Sequence, residues 1–280
     1  MLNKINKPAH AAMSALLVLG LLGVLCLSGC RMQTREIKKE RGKLEQIKAA
    51  GKIVVGTSAD YPPYEFHLLP ELEGTMVGID IDIAEAIAAD LNVKLEIRDI
   101  VFSKLFEELG TGGIDLALAG LSPTENRKQI ADFSIPYYQA MQNMLIRASD
   151  KDKIMLLEDL RGKVVGTQRG SIQEDMARNA VPGATFFLDE EIPELISALR
   201  QRKVDAVILE KPVADAFSSK SKDLLNLECD TERMPLGSAV AVKKGDSDLL
   251  ERVNLILTRL IQENKITESI QAAKVLADKI

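Results

Sequence analysis

LALAGLSPTENRKQIADFSIPYY, Leu116 to Tyr138, is the stretch from which the rest of the chain can be read. It opens on an apolar run, Leu116-Ala117-Leu118-Ala119, which predicts a buried strand. Gly120 allows a sharp change of direction or a close backbone approach. Ser122, Pro123 and Thr124 follow, and Thr124 is placed to cap a short helix carrying Glu125, Asn126 and Arg127. The result is a strand tip with free carbonyls and hydroxyls, facing a guanidinium one turn away. Such a tip can hold an anion and a cation side by side, as a zwitterion requires. A guanidinium fork matches a carboxylate bidentately. The plainer reading makes Arg127 a surface helix residue, and the chemistry of this stretch alone does not choose between the two.

The segment resembles the amino-acid-binding family of bacterial extracellular solute-binding proteins, which feed ABC importers. The resemblance rests on Ser122, Thr124 and Arg127, then Asp132, Phe133, Ser134, Pro136, Tyr137 and Tyr138. It extends to Gly56-Thr57 with Tyr61-Pro62-Pro63-Tyr64-Glu65-Phe66, to Gly78-Ile79-Asp80-Ile81-Asp82, and to Asp159-Leu160-Arg161-Gly162-Lys163. It covers about Lys52 to the C-terminus. It implies an α/β fold of two Rossmann-like lobes joined by a two-strand hinge, the type 2 periplasmic-binding-protein clamp. One lobe is expected at 51–138 with 239–280, the other at 139–238.

Composition is that of an ordinary soluble protein. The chain has 280 residues, 28% of them charged and 46% apolar, enough for one large or two medium domains. A net charge of −5 argues against a nucleic-acid partner. Residues 1–29 read as a signal segment: Lys4 and Lys7 precede an apolar core from Ala11 to Leu25. Leu27-Ser28-Gly29-Cys30 resembles a bacterial lipobox, which implies lipidation at Cys30, a membrane anchor and an extracellular location, or a periplasmic one in a Gram-negative cell. More than one acyl chain makes such an anchor stable. The alternatives are an uncleaved anchor and a chance cysteine. Residues 30–50 read as a polar tether and a short leading helix. Cys26 leaves with the leader and Cys30 carries lipid, so Cys229 is left without a disulfide partner, and a small buried hydrophobe is expected. No Cys/His cluster suggests a metal, and no cofactor is expected.

Along the chain the patterns alternate. Strands are predicted at Lys52 to Thr57, Val93 to Ile100 and from Ile114, with helices at Asp82 to Leu91 and Ser103 to Leu109. Ser58 to Phe66 reads as a loop. The alternation repeats with strands at Lys163 to Thr167, Ala184 to Leu188 and Lys203 to Leu209, and helices at Ser171 to Ala180 and Ile192 to Arg200. Parallel sheets covered by helices follow from this order. Gly113-Ile114-Asp115-Leu116 and Lys203-Val204-Asp205-Ala206 echo each other at the same point of the two units. Ligands are expected between the carboxyl ends of the strands. The C-terminal part predicts a strand at Ser238 to Lys243, a helix at Ser247 to Glu263 and a last helix from Thr267. The resemblance implies that this part returns to the first lobe, with crossings near 139–141 and 234–238.

The resemblance also implies roles. Arg127 and the helix start at Gly170-Ser171-Ile172 hold the ligand's α-carboxylate. Ser122, the carbonyl of Gly120 and the acid Glu210 hold the α-ammonium. Glu210 stands where many relatives have Asp. Tyr61 and Phe102 wall the side-chain pocket, Gln168 and Gln173 offer amides, Ser58 stands where some basic-amino-acid binders have Asp, and Ala119 replaces a serine. For each the plain alternative is capping, core packing or an exposed loop acid. The expected ligand is a polar amino acid, arginine or glutamine, and the expected partners are that ligand and ABC permease subunits, with a monomer as the default. Ligand contacts shared between lobes would select the closed clamp. Two rivals remain. One is an arogenate- or prephenate-dehydratase-like enzyme using Glu210 or Glu65. The other is a ligand sensor.

Overall fold

The computed structural model describes residues 41–68, 75–219, 221–229 and 237–279. The leader and Cys30 lie outside the described residues.

Two five-stranded sheets are built alike. In the first, the order is Lys94–Asp99, Lys52–Thr57, Leu116–Ala117, Ala241–Lys243, Ala131–Phe133. Its first three strands are parallel, with Val55 opposite both Ile97 and Leu116. Ala241–Lys243 then enters antiparallel to both of its neighbours. In the second, the order is Thr185–Asp189, Val164–Gln168, Ala206–Glu210, Gln142–Arg147, Leu224–Glu228. Again three parallel strands are followed by two antiparallel pairings. The sheets are therefore mixed, where the alternating pattern predicted purely parallel ones. Strands that return from outside a β-α-β run arrive from the opposite direction, and local periodicity does not record that.

Central strands in such sheets are covered on both faces, so they read as unbroken apolar runs. Lys52–Thr57 is buried from Ile53 onward, and Gln142–Arg147 is buried throughout. The helix Ile79–Leu91 packs Ile79, Ile83, Ile87 and Leu91 inward at four-residue spacing. It begins three residues before the predicted start, and that first turn matters below. Asn92 closes it in the left-handed region. The leading helix is Lys43–Ala50, with Ile47 buried.

The echo between the two units has a structural meaning. Asp115 Oδ2 accepts the Val54 amide at 2.8 Å, and Asp205 Oδ2 accepts the Val164 amide at 3.0 Å. Each aspartate amide also donates to the carbonyl of the same valine. One side chain thus satisfies the amide at the start of the neighbouring strand, once in each sheet. Each carboxylate has a cation as well, Lys43 for Asp115 and Arg147 for Asp205.

Ser58 to Phe66 is not a plain loop. Asp60–Tyr61, Glu65–His67 and Met76–Val77 form a small antiparallel sheet. The two sheets meet near Tyr138, which bridges to Ser238. Part of the expected second crossing, 234–236, lies outside the described residues. The last two helices are Ser247–Gln262 and Lys265–Ala277.

Candidate functional site

Arg127 sits in the short helix Glu125–Ile130, and the Thr124 hydroxyl accepts the Arg127 amide as the sequence predicts. The guanidinium is buried. Nη1 donates to the Ser122 carbonyl at 3.1 Å, and Nη2 crosses to the Gly170 carbonyl of the other sheet unit at 3.0 Å. Phe102 and Phe106 lie under it, with ring centroids at 5.5 and 5.3 Å. Burial lowers its pKa to about 10, so it stays cationic at neutral pH. Two carbonyls engage part of the fork, and its remaining N–H groups stay free for a carboxylate.

Beside Gly170, the Ser171 hydroxyl accepts the Glu174 amide and caps the helix Ile172–Ala180. Half of the predicted capping box forms: the Glu174 carboxylate takes the Gly170 amide instead of that of Ser171. Both capping and a ready anion site at this helix start are compatible with the geometry. Arg127 and the Ser171 helix therefore converge, one from each unit.

Glu210 occupies the other end. It closes the strand Ala206–Glu210 and is buried, so it is not a loop acid. Tyr64 Oη donates to its Oε2, and its own amide donates to Tyr61 Oη at 3.3 Å. Both tyrosines belong to the first unit and stack with ring centroids 5.5 Å apart. Gly120 lies against Tyr61, with a left-handed φ of 54°. Burial pushes Glu210 up to about 7, opposed by its bonds to Tyr64 and Gln142 and aided by the charge of Asp80.

Three acids stand behind this end, and of them the sequence suggested a role only for Glu65, as an acid of the rival enzyme. Asp80, in the early first turn of the Ile79–Leu91 helix, is buried. It accepts Tyr137 Oη at 2.6 Å and the Gly120 amide at 2.9 Å, so it fixes the strand tip from behind. Burial raises it to about 6. Glu65 is buried, and its carboxyl oxygens find no donor among the described residues. Burial and the charge of Asp80 push its pKa well up, so a protonated Glu65 donating to Asp80 satisfies both groups. Burial likewise raises Asp60 to about 7. Asp80 and Glu65 both lie in stretches that carried the family resemblance, and a paired acid there was the available signal.

Other predicted positions play local parts. The Gln168 amide donates to the Glu190 carbonyl and that of Gln173 to Gln142. Ser58 Oγ reaches Asp60 at 3.4 Å, and Ala119 is buried in the first unit's core. Phe102 lies beneath Arg127, with one face turned to the guanidinium. Ile172 and Ser122 are buried beside the two converging ends. A cavity of about 560 Å³ lies next to the site, lined by Asp60, Pro62, Phe66, Glu191 and Phe217 among others, but it includes neither Arg127 nor Glu210.

Two mixed α/β units with a buried cation at one end of their meeting face and a buried acid at the other have the architecture of a solute-binding class of protein. The chain belongs to the bacterial extracellular solute-binding proteins, family 3, whose model matches residues 53–272. It is 35% identical over 213 residues to the arginine-binding extracellular protein ArtP of Bacillus subtilis, covering 75% of this chain and 80% of that one. It is 29% identical over 262 residues to the glutamine-binding ABC transporter protein GlnH of the same species, covering 91% and 94%. Its fold matches an amino acid ABC transporter substrate-binding protein from Streptococcus pneumoniae, solved with L-arginine bound. That match has a TM-score of 0.80 and 35% identity, and covers 84% of this chain and 98% of that one.

Proposed function

We propose that the protein captures a cationic polar amino acid, arginine foremost, and delivers it to the permease of an ABC importer. The observation that carries this reading is the polarity of the site. Arg127 and Glu210 are both buried, and each is held by a group from the opposite unit. A ligand's α-carboxylate fits the Arg127–Ser171 end, and its α-ammonium fits Glu210, Ser122 and the Gly120 carbonyl. Asp80 and Glu210 place two buried acids at that end with no buried base beside them among the described residues. This excess favours a ligand whose side chain is also cationic and disfavours glutamine.

Residues 51–138 with 239–280 act as one jaw and 139–238 as the other, and ligand selects the closed state because only that state makes every contact. Cys30 carries the lipid that holds the protein at the membrane, which the tetrapeptide ending in Cys30 supports. Binding, not dehydration, is the function. Glu210 is engaged by Tyr64 and Gln142, and the one described histidine, His67, pairs with Asp99 on the surface.

A thermal-shift screen against the proteinogenic amino acids, ornithine and citrulline tests this directly. Arginine is expected to raise the midpoint most, since a ligand that binds only the folded state stabilises it. No shift from any of them, after unfolding and refolding to strip co-purified ligand, would sink the reading. A shift with glutamine alone would reject the role given to the acidic cluster. Incubation with prephenate is expected to yield no aromatic product.

A further inference from the structure

Asp60 has no part in the ligand contacts proposed above. It lies in the two-residue strand Asp60–Tyr61 of the first unit. Its Oδ2 accepts the amide of Ile192, in the second unit, at 2.7 Å. Ile192 is the first residue of the helix Ile192–Arg200. That helix lacks a cap of its own: Glu191 occupies the N-cap position without a side-chain cap bond, and Pro193 has no N–H to offer. An aspartate oxygen on a first-turn amide does what an N-cap does, and a carboxylate also suits the positive end of the helix dipole. Here the cap is supplied from across the cleft.

The neighbouring contacts connect this bond to the ligand site. Ser58 Oγ lies 3.4 Å from Asp60 Oδ1 and orients the carboxyl. Tyr61, the next residue, takes the Glu210 amide at 3.3 Å. One short strand therefore carries both the helix cap and a wall of the ligand site, so both contacts form in the same movement. We infer that Asp60 is a trans-acting helix cap that exists only in the closed clamp and sets how long ligand stays bound. It is a positioning residue: it touches the opposite jaw, not the ligand. This inference rests on the clamp reading given above.

Asp60→Ala, Asp60→Asn and wild type are to be compared in two measurements. The first is the arginine dissociation rate by stopped flow. The second is the radius of gyration of the ligand-free protein by small-angle X-ray scattering. Asp60→Ala is expected to speed dissociation about 2- to 10-fold, the range of one ordinary hydrogen bond, with little change in the association rate. It is also expected to enlarge the ligand-free particle toward the open form. Asp60→Asn keeps an acceptor oxygen and is expected to restore both values, since asparagine caps as well as aspartate. Unchanged dissociation and size in Asp60→Ala would overturn the inference, as would Asp60→Asn behaving like Asp60→Ala. Should the alanine variant not fold, Asp60→Ser shortens the side chain to the same end. If wild type binds no amino acid at all, the function reading fails, and the scattering comparison alone still decides the latch.

Discussion

Arg127 and Glu210 are both buried, both charged in water, and both held by groups from the opposite sheet unit. Burial nevertheless leaves them in different conditions. Desolvation disfavours the charged form of each. The arginine starts so far from neutrality that a pKa of about 10 leaves it cationic. The glutamate, raised to about 7, is poised between its two forms. On the proposed function, one end of the cleft is a fixed anchor, and the other is a group whose charge the ligand itself decides. The same physical effect gives permanence or responsiveness, depending only on where the group's ordinary pKa lies.

Removing the anchor tests the first half of that contrast and has the largest expected effect. Arg127→Ala should weaken arginine binding at least about 100-fold by calorimetry, the usual cost of truncating one partner of a buried charge pair. Retention of affinity within a few-fold would move the carboxylate site elsewhere.

Glu210→Gln tests the other half. Its expected loss is about 10- to 100-fold, the range for a hydrogen bond to a charged group. In wild type, affinity should fall as pH drops through about 7, because a protonated Glu210 must release its proton before it can pair with an ammonium. The slope can reach about tenfold per pH unit for one group, and Glu210→Gln should flatten it. Stability without ligand should run the other way. The folded protein holds protons on Glu210, Asp80 and Asp60 that the unfolded chain releases, so these groups lower its stability as pH rises from the ordinary carboxylate range to about 7. The thermal shift given by arginine should therefore grow across that same window, and a shift independent of pH would contradict the poised state of Glu210.

Phe102→Leu has the smallest expected effect. It keeps apolar bulk under the guanidinium and removes one aromatic face, for a loss of about 2- to 10-fold in affinity. A larger loss would mean that Phe102 contacts the ligand itself.

The sequence carried more of the anchor end than of the poised end. Thr124 and Ser171 announce their helices by local chemistry, and both cap as expected. The paired Asp115 and Asp205 motifs were visible as an echo, although their shared bond to a neighbouring strand was not. The strand Leu224–Glu228 and the helix Lys211–Ser218 gave no periodicity that stood out, and strands of two or three residues, such as Asp60–Tyr61, are too short to give any. Asp80 and Asp82 look alike in the sequence as acids at a helix start, yet only Asp80 is buried. What separates them is packing against Gly120 and Tyr137, which are distant in the chain. Burial of an acid is set by such long-range contacts, and no local pattern encodes it.

The chain has four tyrosines and no tryptophan. Tyr61 stacks on Tyr64, Tyr64 meets Tyr138 edge-on, and Tyr137 bonds Asp80 behind the strand tip. Every fluorophore that dominates the protein's near-ultraviolet emission therefore sits in one aromatic cluster at the cleft. Phenols bonded to carboxylates are dim, so separating Tyr64 from Glu210 brightens the emission and re-forming that bond darkens it. On the proposed clamp motion, that emission reports the separation of the two units without a label.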